Sequence, residues 1–297
     1  MKAKILSCIA ILLVAAVTVC TFASCGKDEN IDETATGTVA ETTTAAPVEE
    51  ETDAVVEETT GVEETSEVIT EASEAASEEE TTDASAMPST KEEIIAYYNE
   101  NANRIKPECK TIVRNYALNT QTRDAVISNS MLSGIANKLI SANMGYDKKA
   151  EGQVLSSAED KSEHFPVKFQ TWTSKLTTAD VISATCTDNG DYYNIVITLV
   201  PDTTPNIGLG QGHAGKAISI VTKDSIVEGA GSLGMSVIEE ESISVTYKDC
   251  KIEAKVEKAT GNIVAANYYQ DWTLSLTAIG IDVTVAFGIE DDYTINW

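Results

Sequence analysis

Thr185-Cys186-Thr187-Asp188-Asn189-Gly190-Asp191-Tyr192-Tyr193-Asn194-Ile195-Val196-Ile197 reads as two β-strands joined back to back. Residues 180–187 and 192–200 are rich in β-branched and aromatic side chains, and Asp188-Asn189-Gly190-Asp191 stands between them. An Asn-Gly pair between such runs is the strongest short-range hairpin signal. Residues 243–247, 251–256, 267–276 and 282–288 continue the period-two pattern, with turn chemistry at 258–262 and 278–280. Residues 167–172 also alternate, and 111–116 reads as a further strand. Strands adjacent in sequence and joined by short turns make an antiparallel meander. No long helices alternate with them, so a parallel sheet is excluded.

The helical signals lie N-terminal to this region. Thr90, with Glu93 three residues on, has capping-box chemistry, and Ile94, Ile95, Tyr97, Tyr98 and Ala102 follow at helical spacing until Pro107. A second helix is predicted over residues 123–143, with an apolar stripe of Val126, Leu132, Ile135, Leu139 and Ile140 and with Gly145 as its C-terminal cap. The expected fold class is α+β: N-terminal helices packed on a curved antiparallel sheet. It forms a single domain over residues 90–297, long enough to bury a sizeable core.

What precedes the domain is of a different kind. Met1-Lys2-Ala3-Lys4 is basic, Ile5 to Val19 is apolar, and Thr21-Phe22-Ala23-Ser24-Cys25-Gly26 ends in small residues before a cysteine. A basic start, a short apolar run and a small-residue cleavage point describe an export signal. The apolar part is about 15 residues, short of the ~20 that span a bilayer. Residues 26–89 carry 20 Asp and Glu against Lys27 alone, so most of the net charge of −26 sits there. Such a segment cannot bury enough apolar surface to offset ordering entropy, and it is expected to be a disordered tether. As a random coil it reaches about 45 Å r.m.s..

The residues 1–26 resemble a bacterial lipoprotein signal, although Phe22 stands where Leu, Val or Ile is usual. The resemblance implies a signal peptide over 1–24, cleavage before Cys25 and a diacylglycerol on its thiol, with the acidic tether over 25–89. It places the chain at the cell membrane, lipid-anchored on the extracellular face. The tether composition is similar to that of Gram-positive surface lipoproteins, and the domain resembles secreted lipoproteins of that kind; the resemblance brings no activity with it.

Chemistry-bearing motifs are sparse. Gly210-Gln211-Gly212-His213-Ala214-Gly215 has the spacing of a dinucleotide fingerprint, but that fingerprint opens a βαβ unit and here strands flank it. A mobile glycine-rich loop is the expectation instead, either a passive surface connection or one that offers Gln211 and His213 as ligand-contact groups. His164 and His213 are the only histidines, with no HxxxH, HExxH, CxxC or GxSxG pattern, so neither a metal site nor a catalytic set of residues is expected, and no cofactor. Cys109, Cys186 and Cys250 remain after processing; an odd number leaves at least one thiol free. Tyr268 and Trp272 share one strand face by alternation and are candidates for a carbohydrate- or lipid-contact surface, with core packing as the competing reading. Residues 91–297 hold 27 acidic and 18 basic side chains with no basic stripe, which disfavours nucleic acid. The expected function is non-enzymatic binding of an envelope polymer, lipid or surface protein. The alternatives are carriage of an apolar molecule in a LolA/LppX-like half-barrel and an envelope hydrolase.

Overall fold

The computed structural model describes residues 87–232 and 238–297; the signal, Cys25 and nearly all of the tether lie outside them. Among these described residues, four α-helices accompany one antiparallel sheet of eight strands. The helices are α1 (Lys91–Glu108), α2 (Ser130–Ala142), α3 (Ala158–His164) and α4 (Lys223–Ser232). The strands are β1 (Thr111–Ile127), β2 (Gly145–Tyr146), β3 (Gln153–Leu155), β4 (Val181–Asn189), β5 (Tyr192–Leu199), β6 (Ser244–Glu257), β7 (Ile263–Ala278) and β8 (Ile281–Asn296). Their order is β2-β1-β8-β7-β6-β5-β4, with β3 also on β1. Strands β4 to β8 are thus the expected meander, and β1 returns to pair with the last strand. The α+β class is as the sequence predicts.

Helix α1 starts where the capping box predicts: Thr90 Oγ1 accepts from Glu93 N at 3.2 Å while Thr90 N donates to Glu93 Oε2 at 3.0 Å. Pro107 does not end it; the helix runs to Glu108 with Pro107 in its last turn. Ile94, Ile95, Tyr98, Ala102 and Ile105 are buried against the sheet, where the Tyr98 hydroxyl lies 3.3 Å from that of Tyr268. Phe165, Tyr268 and Tyr293 pack edge to face with centroids 5.0–6.1 Å apart, a geometry that aromatic quadrupoles favour.

Several sequence expectations change in the structure. Residues 123–127 belong to the long strand β1, and the second helix begins only at Ser130. Val126 is therefore 67% exposed on a strand, and Ile135 is exposed on α2, while Leu132, Ala136 and Ile140 face the core. Gly145 opens β2 instead of capping a helix. The two runs at 243–247 and 251–256 are one strand, β6, interrupted by a bulge at Asp249, φ 54°. Residues 167–172 form no strand, because Val167, Gln170 and Trp172 give their carbonyls to Lys106 Nζ at 2.7, 2.8 and 3.4 Å. Helices α3 and α4 carry no strong periodicity and are not legible in the sequence. Cys109 and Cys250 are buried and Cys186 half-buried, and all three are free.

The β7–β8 turn exposes a flaw that can be repaired. Ala278 pairs with Ile281, so Ile279 and Gly280 are the two turn residues, at φ 51° and 67°. Two positive φ values define a type I′ turn, which prefers Asn-Gly, and a β-branched residue there is a genuine outlier. Ile279 is also 48% exposed, so it contributes little packing. Ile279→Asn is expected to stabilise the domain by about 1 kcal/mol. A thermal melt that moves down or stays put would refute this.

Candidate functional site

Two clefts lie on the face of the sheet opposite the helices. The bulge between Arg114 and Tyr116 creates the first. An extra residue in one strand breaks the alternation. Arg114 therefore points into the core, fully buried, while the next two residues, Asn115 and Tyr116, both face the open side. Gly145, φ 130°, lets the chain enter the short strand β2, where Tyr146 pairs with Leu118 on the outer edge of β1. Tyr146 is 63% exposed, and its ring stands at right angles to that of Tyr116, with centroids 5.6 Å apart. Asn115, Tyr116, Tyr146, Lys148 and Glu151 line a cleft of about 610 Å³. The second cleft, about 460 Å³, lies over Asn194, Val196, Glu253, Lys255, Ala265, Asn267 and Asp292, with Thr187 at its far side.

A hydrogen-bond network joins them. The Tyr116 hydroxyl donates to Glu290 Oε1 at 2.7 Å, and Asn267 Nδ2 donates to the same oxygen at 2.9 Å and to Asp292 Oδ2 at 3.4 Å. Asn115 Nδ2 donates to Asp292 Oδ1 at 2.7 Å and reaches Thr294 Oγ1 at 3.0 Å. Desolvation, then the Glu290 carboxylate, push the Tyr116 phenol up from its ordinary value, so it remains a donor. Beside them Gly288 makes room for the Tyr269 ring: a Cβ there would lie 2.6 Å from Thr120 Oγ1 and 3.1 Å from the Tyr269 hydroxyl. The result is a rigid, mixed surface of amides, carboxylates, hydroxyls and tyrosine rings. Among the described residues no group of three or more His, Cys, Asp or Glu is arranged to hold a metal ion.

The residues singled out in the sequence lie elsewhere. Tyr268 and Trp272 do share a face of β7, but it is the covered one, where they are 2% and 0% exposed; they form no open aromatic surface. Trp272 packs instead on Phe287, with centroids 5.0 Å apart. Gln211 is exposed and His213 half-buried, and neither lines the two clefts. Their loop is pinned, contrary to the expected mobility. Asp202 accepts from His213 N at 2.8 Å and Ala214 N at 2.7 Å, and Ala214, Ala217 and Ile218 are buried in the core. Gly212, φ 63°, sits where a Cβ would meet Asp202 Oδ1 at 2.6 Å, so packing as well as backbone demands glycine. Only a three-residue 3₁₀ turn, Ala214–Lys216, follows the glycines, in place of the helix a dinucleotide site requires.

His213 does meet a carboxylate. Its Nδ1 lies 2.8 Å from Asp180 Oδ1, which also accepts from Lys216 Nζ at 2.7 Å. Burial would raise the Asp180 carboxyl, but bonds from Lys216, Thr177 and His213 outweigh it and hold it down to about 2. Because Thr177 and Lys216 share this carboxylate, the cluster ties the glycine loop to the start of β4.

No protein family, curated protein or solved structure matches the chain.

Proposed function

We propose that this chain is a lipid-anchored surface protein whose α+β domain is a non-enzymatic binding module for an envelope or extracellular ligand. The observation that carries the binding reading is the preorganised open face: Asn115, Tyr116, Asn267, Glu290 and Asp292 are locked together by hydrogen bonds beside the exposed ring of Tyr146. Binding sites combine a few fixed polar groups with concave, partly apolar walls, and rigid supporting contacts keep them in place. Strong pairing on the helix-covered face argues against the carrier alternative, since Tyr98, Trp272, Phe287 and Tyr293 fill the layer that a half-barrel would leave for cargo. The anchor rests on Ala23-Ser24-Cys25-Gly26 behind the basic, apolar start. Two acyl chains, at ~0.8 kcal/mol per buried methylene, would hold the domain firmly.

The full chain with Cys25→Ala tests both halves. Expressed in a Gram-positive host, it should either leave the membrane fraction or remain unprocessed. Retention with normal processing would remove the anchor. The purified Cys25→Ala chain, added back to washed cell envelopes, should sediment with them in a saturable way. Absence of any saturable uptake would remove the binding reading.

A further inference from the structure

The register of the sheet lays the open-face side chains out in two parallel rows. One row crosses the strands as Tyr116, Asp292, Asn267, Glu253, Val196 and Thr185. Its neighbour runs Thr294, Ala265, Lys255, Asn194 and Thr187. The two clefts lie along these rows, bridged by Asn115 and Asn267, both bonded to Asp292. Six strands at ~4.8 Å spacing give the longer row a length of about 24 Å perpendicular to the strands, and β2, with Tyr146, extends the strip by one more strand.

The chemistry of the strip selects its occupant. Charges of both signs are present, Asp292, Glu290 and Glu253 against Lys255 and Lys251, and Lys251 pairs with Glu253. No single-sign field exists to hold a polyanion or a polycation, which requires one. A peptide would add along an edge strand through main-chain bonds; β4 is such an edge only at one end of the strip, and a chain laid across the strands meets β5 to β8, whose backbone groups are already used in the ladders. What remains is a lining of amides (Asn115, Asn194, Asn267), carboxylates and hydroxyls (Thr187, Thr294, Tyr116), with a small floor at Ala265 and Val196. Vicinal hydroxyls, each donor and acceptor at once, match such groups. The end of the strip carries the Tyr146 ring, exposed yet braced by Tyr116, as a platform for the apolar face of a sugar ring.

We infer that the strip from Tyr146 to Thr187 binds an uncharged polysaccharide laid across the strands, with a sugar ring on Tyr146 and hydroxyls on Asn267, Asp292 and Glu290. The inference rests on the binding reading above and narrows it to one ligand class.

The test is calorimetric titration of the full Cys25→Ala chain with defined hexasaccharides: neutral cello-, xylo- and manno-oligomers against oligogalacturonate and a heparin fragment. At least one neutral hexasaccharide should bind and neither charged one should. Tyr146→Ala and Asn267→Ala should each weaken that binding about tenfold, whereas Phe169→Asn, on an exposed side chain away from the strip, should leave it unchanged. Tyr146 is a surface residue, so its variant should keep the parental melting temperature and the loss cannot be ascribed to unfolding. Binding confined to the charged sugars, or neutral binding indifferent to both substitutions, overturns the inference. If no sugar binds while the chain still sediments with washed envelopes, the ligand class is wrong and the binding reading survives. If neither sugars nor envelopes bind, both fall. Release of reducing ends from a bound hexasaccharide would keep the ligand class and overturn the non-enzymatic reading.

Discussion

Arg114→Met is expected to lower the free energy of unfolding by about 3–5 kcal/mol, the range for breaking a buried ion pair from one side. Arg114 is fully buried on the inner face of β1. Its Nη2 and Nε lie 2.5 and 3.2 Å from Asp291 Oδ1 on β8, and its guanidinium sits 6.0 Å over the Tyr293 ring. Without it, the 7%-exposed Asp291 loses the guanidinium that pairs with it. The double variant Arg114→Met/Asp291→Leu should recover most of the loss, because an apolar pair of similar volume is often neutral or better. Urea titration of the parent, both single variants and the double variant measures this directly. A single-variant loss below about 1 kcal/mol would place the pair among those that contribute nothing measurable. The same substitution bears on the open face. Arg114 anchors the strand at the bulge that turns both Asn115 and Tyr116 outward, so a variant that slips this register should also lose the Tyr116–Tyr146 contact.

That bulge shows where sequence reading succeeds and fails. Period-two runs and turn residues disclosed the meander: the β4–β5 hairpin, β7 and the Ala278-Ile279-Gly280 turn all lie where expected. The hairpin turn is tighter than the 188–191 segment, because Asp188 and Asn189 belong to β4. Asn189 pairs with Tyr192, so Gly190 and Asp191 are the turn residues, with only Gly190 at positive φ, the pattern of a type II′ turn. Bulges are invisible to alternation because one inserted residue inverts every side chain beyond it. At Asn115 this hid a strand of 17 residues and half of the candidate site; at Asp249 it split β6 into two apparent strands. Tyr116 and Tyr146 are separated by 30 positions and meet only because β2 adds to the edge of β1. Alternation correctly put Tyr268 and Trp272 on one face. It could not tell which face the helices cover, because that depends on helix packing across the whole sheet.

Lys106→Met is expected to destabilise the domain by about 2–4 kcal/mol near neutral pH, by orphaning acceptors at ~1–3 kcal/mol each. The Lys106 ammonium, 7% exposed at the end of α1, holds the carbonyls of Val167, Gln170 and Trp172. Of these Val167 O has a second donor in Gln170 N at 3.2 Å, so the losses fall chiefly on Gln170 and Trp172. Trp172 in turn packs on the glycine loop, 3.2 Å from where a Gly210 Cβ would stand, and Lys175 lies 4.2 Å over its ring. One side chain therefore secures both the 167–172 segment and the loop beyond it. The effect has a pH signature. Burial pushes Lys106 down from 10.5 to about 7, against the pull of the three carbonyls. Between those two values the unfolded chain binds the proton and the folded chain has released it. Unfolding then takes up a proton, so stability from this group rises with pH across 7 to 10.5 and is flat below 7. Methionine carries no proton, so the parent's advantage over Lys106→Met should widen between pH 7 and 9.5. Paired denaturant titrations at pH 6, 8 and 9.5 decide it. A gap that stays flat over that range would mean that Lys106 keeps its proton in the folded chain, the carbonyl ring holding the charged form at least as tightly as water does.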